Sequence, residues 1–174
     1  CKTYMADGKE VRAADNVNLK IQQGDFVTVL GHSGSGKTTL LSLIGGLTSP
    51  DRGKVLINGV DSWKGDDRQV SEIRNSTIGF VFQFASLIPT LTALENLILP
   101  LSFTVSRKDG RKRATELLES VGLADKANSF PAQLSGGQQR RIAIARAFIN
   151  NPDIILADEP TGDLDEETEA EILD

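Results

Sequence analysis

Residues 31–38 read Gly31-His32-Ser33-Gly34-Ser35-Gly36-Lys37-Thr38, and this stretch decides the fold. Its pattern is Gly, any four residues, Gly, Lys, Thr, set between the apolar run FVTVL at 26–30 and the run TLLSLIGGL from Thr39. Strand, glycine loop and helix together are the context in which such a loop holds phosphate. The glycines let the backbone curl until successive N–H groups converge on the β- and γ-phosphates of a nucleotide, and the helix N-terminus adds partial positive charge. Lys37 brings a full charge to the same oxygens. The Thr38 hydroxyl suits Mg²⁺, which takes hard oxygen ligands. The competing reading is a Gly/Ser-rich surface loop, which the flanking strand and helix disfavour.

Outward from the loop, Val17, Leu19 and Ile21 alternate with polar residues and lead through the turn QQGD into FVTVL, which predicts a hairpin-like entry into a sheet. Leu40, Leu41, Leu43, Ile44 and Leu47 suit a helix stopped by Gly45-Gly46 and Pro50. Lys54–Ile57 is a short strand closed by Asn58-Gly59, and Ile78–Phe82 is another. Ala114, Leu117, Leu118 and Val121 recur at helical spacing, with Gly122 as C-terminal cap. A further helix begins at Ser135. DIILA, 153–157, is the continuous apolar run of a parallel strand buried on both faces. Alternating strands and helices predict an α/β fold, with 84–150 as a mostly helical insertion.

With 174 residues and 39% hydrophobic residues, the chain fits one globular domain. Its net charge of -5, with like charges scattered, argues against a nucleic-acid surface. The single cysteine, Cys1, permits no disulfide within the chain, which fits a reducing, cytoplasmic compartment. The most apolar stretch, Ile78 to Leu101, is interrupted by Gln83, Glu95, Asn96 and two prolines and fails as a membrane span.

Asp158-Glu159 follows IILA directly, so two carboxylates stand at the C-terminal end of a strand, where an open α/β sheet binds its ligand. Asp158 is placed for the Mg²⁺ shell and Glu159 to polarise a water that attacks the γ-phosphate. An acidic cap on the next helix is the alternative. A second phosphate seat stands at LSGGQ, where Ser135 can cap a helix, and Gly136 and Gly137 expose N–H groups along its dipole.

GHSGSGKT, Gln83 in FVFQ, LSGGQ, IILADE and TGDLD, in this order, resemble the nucleotide-binding domain of the ATP-binding cassette family. The resemblance implies a P-loop NTPase of RecA-like core with a mainly parallel sheet, an N-terminal antiparallel β subdomain and a helical insertion. It implies a single domain over 1–174, with a β subdomain and P-loop core in 1–83, a helical subdomain in 84–150, and the core strand with its Asp-Glu pair and next helix in 151–174. ATP and Mg²⁺ are the implied cofactors. Gly31, Ser33, Gly34, Ser35, Gly36, Lys37, Thr38 and Thr39 would hold the phosphates, and Tyr4 would stack on adenine. Thr38, Gln83 and Asp158 would serve the metal, with Glu159 and Gln83 catalytic.

In this family two such domains pack head to tail, so Ser135, Gly136, Gly137 and Gln138 would face the ATP held by the other copy, with Asp165 in the loop between sites. One chain can make both composite sites under two-fold symmetry. IGFVFQFASLIPTLTALENLILPL and ADEPTGDLD resemble more narrowly the branch of macrolide exporters, the lipoprotein-release system and the cell-division ATP-binding subunit. Partners would then be a second copy and an integral membrane subunit received near Phe84, Leu87, Ile88 and Leu91, with no nucleic acid. The location would be peripheral on the inner face of the cell membrane.

The chain begins at Cys1 and ends within EETEAEILD, before the further strand and switch histidine of the family. A C-terminal truncation, with impaired multiple-turnover hydrolysis, is therefore expected. His32, the only histidine, lies inside the phosphate loop and cannot be that switch. The expected function is the ATPase of an exporter or extractor. The alternatives are a soluble ATPase of the same superfamily in DNA repair or translation, and a non-hydrolysing, ATP-gated dimerisation module.

Overall fold

A computed structural model of the chain describes residues 1–103 and 110–160. The expected helix at EETEAEILD and the segment TGDLD, with Asp165, lie outside the described residues. The chain divides into two compact units, Cys1–Val70 and Ser71–Asp174.

The first unit opens with an antiparallel hairpin, β1 Lys2–Ala6 and β2 Lys9–Ala14, in which Tyr4 faces Val11 and Ala6 faces Lys9. Asp7 and Gly8 form its two-residue turn with φ of 50° and 74°, the left-handed pair whose twist suits a hairpin. This pair is the N-terminal antiparallel β element that the family resemblance implies; its two strands were not read individually, although Asp7-Gly8 is their sequence signal. The start of β1 is tied down: Lys2 Nζ lies 2.9 Å from Asp51 Oδ1, and the Thr3 amide donates to Asp51 Oδ2 at 2.7 Å. Asp51 is held below the usual carboxylate range by the Lys2 hydrogen bond first and the Thr3 amide second.

The hairpin expected from Val17–Ile21 and Phe26–Leu30 is not formed. Only its turn exists, with the Asp25 amide on Gln22 O and Asp25 Oδ2 accepting from the Gln22 amide. A strand is defined by a ladder partner, and among the described residues neither run enters a ladder. Phe26 and Leu30 remain 92% and 88% exposed. The helix after the phosphate loop, α1, spans Lys37–Ile44 and closes on Gly45 and Gly46 as expected. Trp63 Nε1 donates to the Leu43 carbonyl in its last turn at 3.4 Å. Strands β3, Leu56–Ile57, and β4, Val60–Asp61, form the hairpin that Asn58-Gly59 announces.

Helix α2, Asp67–Thr77, is a second omission from the expectations. Its start carries a reciprocal cap: the Gln69 amide donates to Asp66 Oδ1 at 2.9 Å, and the Asp66 amide to Gln69 Oε1 at 3.0 Å. Asp-x-x-Gln was therefore its legible signal.

The second unit pairs β5, Ile78–Val81, with β6, Ile154–Ala157, in parallel, Ile78 facing Ile154 and Val81 facing Ala157. Helices α3, Ala93–Ile98, α4, Gly110–Ser120, and α5, Gly136–Ala147, enclose the main core. Leu97, Leu118 and Ile142 are fully buried there, each stabilising by about 1.5–3 kcal/mol. Buried Asn96 donates to the carbonyls of Ile88, Leu91 and Thr92 and accepts from the Ile88 amide, which fixes the loop before α3. Gly79 on β5 has no room for a Cβ, which would overlap the Ala147 carbonyl, so α5 ends directly on the strand.

One expectation for β6 is corrected: it is not buried on both faces. Leu156 is buried while Ile155 stands 36% exposed, because the helices cover one side of the β5–β6 pair among the described residues.

Candidate active site

In the first unit the phosphate loop takes the shape its glycines allow. Gly34 and Gly36 have φ of 77° and 91°, and a Cβ on Gly36 would overlap the Ala13 carbonyl of β2. The hairpin that carries Tyr4 thus lies directly against the phosphate loop. Ser35 N–H donates to His32 O at 3.2 Å, and Lys37 Nζ crosses the loop to Gly31 O at 2.7 Å and His32 O at 3.1 Å. No side chain caps α1 at Gly36, and first-turn N–H groups have no acceptor within their own helix. A tight loop, an ammonium inside it and uncapped helical amides gather in one place the kinds of donor that can bind phosphate oxygens. Thr38 is exposed and Thr39 half-buried at the start of the helix. Tyr4, 41% exposed, carries the Lys2 ammonium 5.6 Å from its ring centroid.

In the second unit the C-terminal ends of β5 and β6 bring three expected residues to one edge. The Asp158 amide donates to Val81 O at 2.9 Å, continuing the parallel ladder one step past β6. Gln83 and Glu159 meet there, with Gln83 Nε2 donating to Glu159 Oε2 at 3.0 Å. Glu159 holds a left-handed φ of 47°, rare for a residue with a Cβ.

Beneath this pair lies Arg140 of α5, only 4% exposed. Its Nη1 donates to the carbonyls of Phe82 and, at 2.6 Å, Gln83; its Nη2 to Glu159 O at 2.9 Å; its Nε to Pro160 O at 2.7 Å. Arg146, further along the same helix, donates to Ala85 O and Ser86 O at 3.0 Å each. Burial pushes both guanidinium groups down from their ordinary value. Neither arginine was singled out from the sequence. The available signal for Arg140 was its spacing of three and seven residues before Ala143 and Ala147, which puts it on the buried stripe of α5.

The N-terminus of α5 is built by LSGGQ. Ser135 Oγ accepts from the Gln138 amide at 3.2 Å, and Gln138 Oε1 accepts from the Ser135 amide at 2.9 Å, a reciprocal capping box. Both side chains are thereby held in the cap. Gly136 has open space where a Cβ would project, so its backbone can be approached closely.

The family described as ABC transporter matches residues 14–162. The chain belongs to the ABC transporter family. This cassette is 50% identical to an uncharacterized ABC transporter ATP-binding protein of Thermotoga maritima over 174 residues, 99% of this chain and 74% of that protein. It is 44% identical to the lipoprotein-releasing system ATP-binding protein LolD of Syntrophus aciditrophicus over 174 residues, 99% of this chain and 78% of LolD. Among solved structures it matches the dimeric post-hydrolysis state of the ATP-binding cassette MJ0796 from Methanocaldococcus jannaschii, bound to ADP and Pi. That match has a TM-score of 0.88 and 50% identity, covering 99% of this chain and 76% of the other. The ABC cassette is therefore an ATPase of mixed α/β fold, in the branch its sequence resembles.

Proposed function

We propose that the chain drives export or extraction of a substrate by binding ATP between two of its copies and hydrolysing it, on behalf of a membrane subunit. The observation that carries this reading is the Gln83 to Glu159 hydrogen bond at the C-terminal edge of β5 and β6. Glu159 offers a carboxylate to accept the proton of an attacking water, and Gln83 offers an amide to orient that water. Lys37 and the loop amides bind the β- and γ-phosphates, and Tyr4 takes the adenine ring. Thr38, Gln83 and Asp158 would each offer a hard oxygen donor of the kind Mg²⁺ takes. When bound, Mg²⁺ would neutralise charge on the phosphate oxygens.

Homodimerisation follows from the second seat. The N-terminus of α5, capped by Ser135 and open at Gly136, would meet the γ-phosphate held by the partner copy, with Asp165 serving the contact between sites. The similarity to a dimeric cassette bound to ADP and Pi supports this arrangement. The location would be the inner face of the cell membrane, reached through the membrane subunit. Exposed Phe84 and Ile88 and half-buried Leu87 and Leu91 would receive that partner. Among the described residues no helix is long and apolar enough to cross a membrane.

Phosphate release by the full chain with MgATP, beside Glu159→Gln, tests the reading. Release by wild type that the variant loses while still binding ATP supports it; equal release by both overturns it.

A further inference from the structure

We infer that Arg140 is a positioning residue for hydrolysis: its buried guanidinium fixes the backbones under Gln83 and Glu159 so that their side chains meet, and fastens both to the helix that begins at LSGGQ. The inference rests on the ATPase reading above.

A buried cation is tolerated only where its donors are satisfied. Arg140 meets this with carbonyl acceptors on Phe82, Gln83, Glu159 and Pro160, and among the described residues none of its hydrogen bonds goes to a carboxylate. The acceptors come from two different strand ends, and each end carries a candidate site residue. Arginine alone has five donors in a rigid planar fork, so it can reach both ends at once. Lysine can bond several oxygens but cannot reproduce that span.

The backbone at Glu159 gives a second, independent reason. A left-handed φ of 47° on a residue with a Cβ persists when its surroundings over-determine it, and Arg140 Nη2 holds that residue's own carbonyl. The pattern repeats nearby: Ser86 has φ of 46°, and Arg146 of the same helix donates to its carbonyl. Helix α5 thereby grips the segment that follows β5 at two points and the segment that follows β6 at one. Any shift of the LSGGQ helix is transmitted to both members of the hydrolytic pair.

The test compares the full chain with Arg140→Lys and Arg140→Met. Steady-state phosphate release should show kcat lowered about tenfold or more in the Met variant, KM for ATP within about threefold, and partial recovery in Lys. Amide hydrogen exchange without nucleotide should quicken about tenfold at residues 82–86 and at Asp158 and Glu159, with α4 unchanged. An unaltered kcat in the Met variant, unaltered exchange at both segments, or equally quickened exchange across α3 and α4 would each overturn the inference, the last by showing general loss of stability. If wild type releases no phosphate, the ATPase reading fails, and the exchange measurement alone decides whether Arg140 clamps the two segments.

Discussion

Gln83 and Glu159 are hydrogen-bonded to one another, amide to carboxylate, across 3.0 Å. The residue proposed to orient water and the residue proposed to take its proton are thus held as a pair before either acts. An ionised carboxylate has about four lone-pair positions, so the Gln83 contact leaves Glu159 able to accept from a water as well.

Replacing Glu159 with Gln removes the proposed proton acceptor and keeps the shape. Phosphate release should fall by about 10²–10⁴-fold with ATP affinity little changed, read by coupled phosphate detection and equilibrium nucleotide titration. Gln83→Ala should fall less, because it removes orientation rather than the base.

Lys37 is the one full positive charge placed within the phosphate loop, bonded to Gly31 and His32 carbonyls. Lys37→Ala should weaken ATP binding by about 1.5–3 kcal/mol, the range for hydrogen bonds to charged groups, measured by isothermal titration calorimetry. An unchanged affinity would remove this lysine from the nucleotide site.

Ser135→Arg places a long cation at the open end of α5 and deletes the cap in which Ser135 Oγ accepts from the Gln138 amide. Sedimentation velocity should show wild type, but not the variant, gaining a dimer on addition of MgATP. A variant that dimerises like wild type would mean that LSGGQ faces no partner nucleotide.

Leu118 is fully buried between the helices of the second unit. Leu118→Ala should cost about 2–5 kcal/mol in urea unfolding, since a cavity there is lined by side chains with little freedom to collapse.

Asp51 provides a pH prediction. Its folded-state pKa is depressed, so its contribution is present above the unfolded value and is lost as pH falls through the lower folded value. The tie that holds β1, and Tyr4 with it, should therefore loosen below about pH 4, the ordinary carboxylate range. Emission from Tyr4, the only tyrosine, should report this, and Asp51→Asn should flatten the acid limb.

What was legible in the sequence depended on local chemistry. The helix after the glycine loop, the Ser135 cap, the Asn58-Gly59 turn and the helical spacing of Ala114, Leu117 and Leu118 each depend on a few neighbouring residues, and each stands where the pattern put it. Strands are different, because a strand exists only with a partner. FVTVL has a suitable composition and no ladder, whereas KTYMA and KEVRAA, less apolar, pair through Asp7-Gly8. Arg140 was hidden for a related reason. Its acceptors are backbone carbonyls 19 to 58 residues away along the chain, and a carbonyl carries no residue identity for a pattern to detect.

The contact between Trp63 and Leu43 also equips the chain as its own optical instrument. Trp63 is the only tryptophan, and its indole rests on the last turn of α1, the helix whose first residue is Lys37. A change at the phosphate end of α1 would reach the indole along about two helical turns. Its emission can therefore time nucleotide capture in unlabelled protein, with no foreign dye placed near the loop.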